Sequence, residues 1–130
     1  MTTKMTTKMK QQMLWRGKTM NSLPVHVCHE APLSLLERSR AKWNTYDYAL
    51  VHLFAKHPTY YQFFKDSLKM GRMVILDNSI FELKTAFDAD SFAKYVDELK
   101  PTQYIIPDVL EDCQGTITNC KKWVAKYGSL

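Results

Sequence analysis

The stretch RMVILDN at residues 72–78 holds four apolar residues in a row, with a charged residue on either side. A continuous apolar run of this length, placed directly after a helical pattern, is typical of a strand that is buried on both faces. Such strands occur in parallel sheets, because helices cover both faces of those sheets. The stretch therefore predicts an interior strand of a parallel α/β sheet.

Strand and helix patterns alternate on both sides of this stretch. Pro58 suits the first turn of a helix, where its missing N–H costs nothing, and Gly71 suits the end of the same helix. Asp88 is a typical helix N-cap and Pro101 a typical stop. The predicted strands cover residues 24–29, 48–54, 73–76 and 104–106, and the predicted helices cover residues 33–43, 58–70, 89–99 and 116–127.

Each of the last three helices has apolar residues at helical spacing, which predicts the face that meets the core. These faces are Tyr60, Phe63, Phe64 and Leu68; Phe92, Tyr95, Val96 and Leu99; and Ile117, Cys120 and Val124.

The alternation indicates an α/β fold with right-handed parallel crossovers. Two architectures fit, namely a small doubly wound sheet and four parallel β-α units resembling half of a (β/α)8 barrel. A complete barrel needs roughly 250 residues, so a chain of 130 residues is expected to form half of one. Residues 23–130 are predicted to form this single domain.

The net charge of +5 is concentrated in residues 1–22, which we predict to be a flexible basic arm. The remaining 13 basic residues of the chain balance its 13 acidic residues. A basic segment on a neutral body suits contact with phosphate groups, although a solvated tail has the same composition. The candidate nucleic-acid-binding residues are Lys4, Lys8, Lys10, Arg16 and Lys18.

The three cysteines, Cys28, Cys113 and Cys120, indicate reduced thiols in a cytoplasm, because their odd number and wide spacing do not suit a disulfide framework. His26 and Cys28 would point to the opposite side of a strand from His29. We therefore expect no metal site and no cofactor. The chain has no apolar run long enough to span a membrane.

Polar residues follow the predicted strands, at the sheet edge where parallel α/β folds bind ligands. Carboxylates there can accept hydrogen bonds from a purine, act as a base, or attack a glycosidic carbon. Each of them could instead cap a loop or face water. His29 and Glu30 follow the first predicted strand, and His52 lies near the end of the second. The third strand is followed by Asp77, Asn78 and Glu82, and the fourth by Asp108, Glu111 and Asp112.

The segments VILDNSIFEL, residues 74–83, and IIPDVLED, residues 105–112, resemble the tRNA-guanine transglycosylase superfamily. The resemblance is closer to the phage and bacterial branch that inserts deazaguanines into DNA, and it spans about residues 24–127. In that superfamily one strand ends in Asp-Ser-Gly-Gly-Phe-Gln or a relative, where this chain has residues 77–82. The next strand ends in an aspartate that recognises the purine, which Asp108 matches.

The resemblance implies a (β/α)8 barrel that exchanges guanine for a 7-deazapurine in nucleic acid. An aspartate attacks the sugar carbon, guanine leaves, and the incoming base displaces the aspartate. It implies Asp77 as the catalytic residue and places the substrate-binding residues at Asp108, Asn78, Phe81, Glu82 and Glu111. The motif glycines are replaced by Asn78, Ser79 and Ile80, so the loop is expected to approach the base differently.

The family's main nucleophile and zinc ligands come from later strands and the C-terminal region. The chain is therefore expected to be a truncated relative, a half-barrel that pairs with another copy or chain, or a repurposed remnant. The first hypothesis is a transglycosylase-like protein that binds a purine. If this protein is active, it is a base-exchanging glycosyltransferase. The alternative is a non-catalytic, phage-encoded binding protein that contacts nucleic acid or a host protein.

Exposed strand edges favour a homo-oligomer or a companion chain. A nucleotide-binding doubly wound protein ranks last, because none of the four glycines forms a phosphate loop.

Overall fold

The computed structural model describes residues 25–128 and Leu130, so the predicted basic arm lies outside the described residues. The described chain is a mixed α/β structure with a three-stranded parallel sheet in the order β1-β2-β3. The strands are β1, Asp47–Leu50; β2, Val74–Asp77; and β3, Gln103–Tyr104.

Within the described residues, five α-helices and two 3-10 turns surround or connect these strands. None of the described helices is long and apolar enough to cross a membrane. The helices are α1, Leu36–Lys42; α2, Pro58–Lys69; α3, Ile80–Leu83; α4, Ala89–Leu99; and α5, Cys113–Tyr127, with 3-10 turns at Leu33–Leu35 and Val51–Leu53.

The prediction of a central strand is confirmed. Strand β2 pairs with β1 on one side and β3 on the other, in register Leu50 with Asp77 and Tyr104 with Leu76. Val74 and Leu76 are fully buried, as expected for a strand between two layers of helices.

The prediction of a first strand at residues 24–29 is wrong. The predictions of four β-α units and of a half-barrel, which depend on that strand, are therefore wrong as well. Residues 25–29 form no strand. Val27 instead exchanges hydrogen bonds with Thr45, and the His29 N–H donates to the Asn44 side chain. This segment is tied to the residues that precede β1, and Val25 and Val27 remain exposed. The hydrogen bonds of this segment go to Asn44 and Thr45, ahead of Asp47–Leu50, so it does not pair along β1.

Two strand ends also differ from the prediction. The expected strand at 48–54 stops at Leu50, because Val51–Leu53 turn into a 3-10 helix that buries Val51. The expected strand at 104–106 is Gln103–Tyr104, although the Ile105 N–H still donates to the Leu76 carbonyl.

The predicted core faces of α2 and α4 are confirmed. Tyr60, Phe63 and Phe64 of α2 are buried, as are Phe92 and Val96 of α4. The Asp88 side chain accepts a hydrogen bond from the Ser91 N–H and caps α4 as predicted. Gly71 ends α2 with φ 76°, a left-handed conformation that glycine adopts without steric cost.

The predicted core face of α5 is wrong. Ile117 and Val124 are 42% and 60% exposed, and Trp123 is the buried residue of this helix. Trp123 packs against the rings of Phe92 and Tyr104. A tryptophan side chain buries more apolar area than either of these aliphatic side chains alone, and its contacts with Phe92 and Tyr104 set the rotation of the helix.

Candidate functional site

Asp77 is the last residue of β2, and hydrogen bonds hold both of its carboxylate oxygens. The Tyr48 hydroxyl donates to Oδ1 at 2.8 Å, and the Ser79 N–H donates to Oδ2 at 2.8 Å. Tyr48 reaches this position from β1, where it is paired with Ile75 of β2. The carboxylate orientation is therefore set by the neighbouring strand and by the turn that follows β2.

Asn78 is fully buried and ties the end of β2 to the loop after β3. Its Nδ2 donates to the Ile106 carbonyl at 3.0 Å and to Asp108 Oδ1 at 2.8 Å. Its Oδ1 accepts from the Ile80 N–H at 3.0 Å. Asp77 and Asp108 therefore follow neighbouring parallel strands at one edge of the sheet. We call Tyr48, Asp77, Asn78 and Asp108 the carboxyl-edge site.

Two further carboxylates lie near the carboxyl-edge site. Burial raises the pKa of Glu30, and the negative charges of Glu82 and Asp77 raise it further. Burial also raises the pKa of Tyr48, and its hydrogen bond to Asp77 adds to that shift. Tyr48 is therefore a protonated hydrogen-bond donor at neutral pH.

His52 approaches the same edge from the 3-10 turn after β1. Its backbone N–H donates to Ser79 Oγ at 3.3 Å. Its ring atom Nδ1 is buried and has no hydrogen-bond partner among the described residues. Burial lowers the pKa of His52, and the nearby Lys56 acts in the same direction, whereas the Glu82 and Asp77 carboxylates oppose the shift.

The other predicted substrate-binding residues are arranged differently. Phe81 and Glu82 lie on the short helix α3, and Phe81 is 68% exposed with Lys84 Nζ 3.8 Å from its ring centroid. Glu111 is exposed, with φ 58°, beyond Asp108 in the same loop. No hydrogen bond joins Phe81 or Glu111 to the carboxyl-edge site within residues 25–128.

Sequence reasoning placed His52 near this edge, at the end of the second predicted strand, but missed the supporting roles of Tyr48 and Ser79. Tyr48 falls on the same face of the sheet as Asp77 because it pairs with Ile75, and a single sequence does not specify that register. Ser79 has a left-handed backbone conformation, with φ 59°. Because the residue is not a glycine, the sequence gives no sign of this conformation. Only the structure shows how the turn after β2 folds.

The described groups suit recognition of hydrogen-bond donors. Asp77, Asp108, Glu30 and Glu82 are acceptors when ionised, and a carboxylate has spare lone pairs after one hydrogen bond to each oxygen. Within the described residues, no group of three or more His, Cys, Asp or Glu side chains is arranged to hold a metal ion. A groove of about 440 Å³ lies along the outer side of β3, and none of these residues lines it.

Comparisons with models of protein families, with curated proteins and with solved structures find no match to this chain. The family resemblance of the two motifs therefore rests on their residues alone.

Proposed function

We propose that the chain binds a purine base at the carboxyl-edge site and takes part in transglycosylase-type exchange of guanine for a 7-deazapurine in nucleic acid. The observation that supports the proposal is the position of Asp77 and Asp108 at the same ends of neighbouring parallel strands, bridged by Asn78. Ligands of parallel α/β folds bind at this edge.

The chemistry of guanine suits these groups. Its ring N–H and exocyclic amine are donors, and an ionised carboxylate can only accept. A hydrogen bond to a charged group is worth about 1.5–3 kcal/mol. Asp108, held by Asn78, is the purine-binding carboxylate in this proposal, and Asp77 is the catalytic one.

In the exchange, a carboxylate oxygen forms a bond to the sugar carbon as the bond to guanine breaks, and guanine leaves with the electron pair and takes up a proton. The incoming base then displaces the carboxylate and gives up its own proton. The family's main nucleophile comes from later strands, so in this proposal Asp77 takes that role. The hydrogen bonds from Tyr48 and the Ser79 N–H hold its carboxylate in one orientation for the attack.

Calorimetric titration of guanine and 7-deazaguanine tests the binding step. Asp108→Asn is the cleaner variant, because one amide oxygen can still accept from Asn78. We expect it to weaken binding about 10- to 150-fold. Asp77→Asn is expected to weaken binding similarly, but it also places an amide N–H₂ against a donor, since both Asp77 oxygens already accept hydrogen bonds.

Asp97→Asn is the matched control, because Asp97 pairs with Lys100 on the exposed face of α4 and should leave affinity unchanged. Equal weakening by the Asp97 and Asp108 variants, or no purine binding by the wild-type protein, would contradict the proposal. A lower unfolding temperature without any ligand effect would leave the carboxylates with a structural role.

A second candidate function, nucleic-acid binding without catalysis, is favoured by the five basic residues within the first 18 positions. Phosphate contacts release counterions, so affinity carried by these residues must fall as salt rises. Deletion of residues 1–20 should flatten the salt dependence of binding to DNA or RNA. An unchanged affinity and salt slope would show that the segment does not bind phosphate.

A further inference from the structure

His52 is connected to Asp77 through Ser79. The His52 backbone N–H donates to Ser79 Oγ at 3.3 Å, and the Ser79 N–H donates to Asp77 Oδ2 at 2.8 Å. Ser79 is fully buried, so this connection is not displaced by solvent. The histidine therefore has a fixed backbone position beside the carboxyl-edge site.

The surroundings of the His52 ring determine which nitrogen carries the proton. Nδ1 is buried without a partner among the described residues, and an imidazolium would place an unpaired N–H there. Buried donors without partners are rarer than buried acceptors without partners. The neutral ring with its hydrogen on Nε2 is thus the favoured form.

Burial, rather than the charged groups near His52, favours the neutral ring. Glu82 of α3 and Asp77 of β2 favour protonation, whereas Lys56 of the same loop disfavours it. Burial is the largest influence and lowers the pKa below its ordinary value. His52 is therefore uncharged at pH 7, although two carboxylates lie near it.

We propose that His52 is a ligand-binding residue of the carboxyl-edge site and donates a hydrogen bond from Nε2 to an acceptor atom of the bound base. This inference rests on the proposed purine binding. The carboxylates of the site accept hydrogen bonds, and His52 adds a donor to them. A ligand that satisfies both must carry donors and an acceptor on the same ring system, as an oxopurine does.

His52→Phe tests the inference, since it removes the Nε2 donor and leaves no buried nitrogen without a partner. We expect guanine affinity to fall about 3- to 10-fold, which corresponds to one ordinary hydrogen bond. His52→Gln, which keeps a side-chain N–H donor, should recover part of the loss. His57→Phe is the matched control, because His57 is the residue before α2 and its side chain makes no cap hydrogen bond to that helix.

Nitrogen-15 NMR of the imidazole rings gives a readout that a packing role would not move. The wild-type protein should show the Nε2–H form of His52 at pH 7, and guanine should shift its Nε2 resonance. If Asp108→Asn weakens binding while His52→Phe binds guanine like the wild type, the histidine inference is wrong and the proposed function stands. If the wild-type protein binds no purine, both are wrong.

Discussion

The buried side chain of Asn78 donates to Asp108 Oδ1 at 2.8 Å and to the Ile106 carbonyl at 3.0 Å, so one amide joins the ends of two parallel strands. Asn78→Ala removes both of these hydrogen bonds and the one accepted from the Ile80 N–H. Because the partner groups become unpaired, we expect the free energy of unfolding to fall by about 2–4 kcal/mol. Urea denaturation measures this free energy, and Gln62→Ala, at an exposed residue, is the control. If the two variants lose the same stability, the hydrogen bonds of Asn78 do not stabilise the fold as inferred.

The ion pair between Asp47 and Arg72 is a second structural anchor. Asp47 is 2% exposed, and it accepts from Arg72 Nε at 2.7 Å and from Nη2 at 3.1 Å. Arg72→Met should destabilise the protein by about 3–5 kcal/mol, because it leaves a buried carboxylate unpaired. The double variant with Asp47→Asn should recover much of that loss in the same denaturation experiment. A double variant no more stable than Arg72→Met would show that the charge is not the cause.

The lowered pKa of His52 predicts a stability that depends on pH. The unfolded chain takes up a proton near pH 6.5, whereas the folded protein does so only at a lower pH. Stability due to this group is therefore complete above pH 6.5 and is lost as the pH falls through the folded pKa. The difference in unfolding free energy between wild type and His52→Phe should change between pH 7 and pH 5. If the difference in unfolding free energy stays constant between pH 7 and pH 5, the pKa of His52 is not lowered in the folded protein.

The reactivity of the cysteines should differ. Burial raises the pKa of the Cys28 thiol from 9.0 to about 11, and the Asp47 charge adds to the shift. Because the thiolate is the nucleophile, a rise of about two pKa units lowers its fraction about 100-fold at pH 8. Iodoacetamide should therefore label the exposed Cys113 well before Cys28, as peptide mass spectrometry would show. Equal labelling rates would contradict this expectation.

The free edge of β3 predicts self-association. Strand β3 pairs only with β2 in the described sheet, and Ile105 beside it is 42% exposed next to the groove. Two copies can pair these edges in antiparallel fashion about a two-fold axis. Light scattering at micromolar concentration should show a dimer. Ile105→Lys should reduce it, whereas Met70→Lys, at the exposed residue that follows α2 and does not line the groove, should not. A wild-type monomer would exclude this interface.

Sequence patterns predicted the parts of the fold where packing follows local periodicity. The aromatic face of α2 and the apolar run of β2 each have one arrangement that buries them. The segment at 25–29 and the rotation of α5 depend on neighbours distant in sequence. Alternation does not show whether a strand partner exists, and helical spacing at Ile117 and Val124 does not show that Trp123 meets the core instead.

For the candidate site, the positions of Asp77 and Asp108 at one sheet edge followed from parallel topology alone. The hydrogen bonds that orient these two carboxylates could not be predicted from the topology. Tyr48 contributes from another strand, and Asn78 reaches a loop 30 residues further along the chain. Such pairings depend on register and on turn geometry, which a single sequence does not specify.

Ser79 has a left-handed backbone conformation, with φ 59°, at a position where the resembled motif has a glycine. A residue with a Cβ pays roughly 1–2 kcal/mol for this conformation, while its hydroxyl accepts the His52 N–H. Glycine would relax the turn but leave that N–H without an acceptor. The backbone conformation of the turn would accept glycine, whereas the serine hydroxyl adds a connection between the ends of β1 and β2 that glycine cannot make.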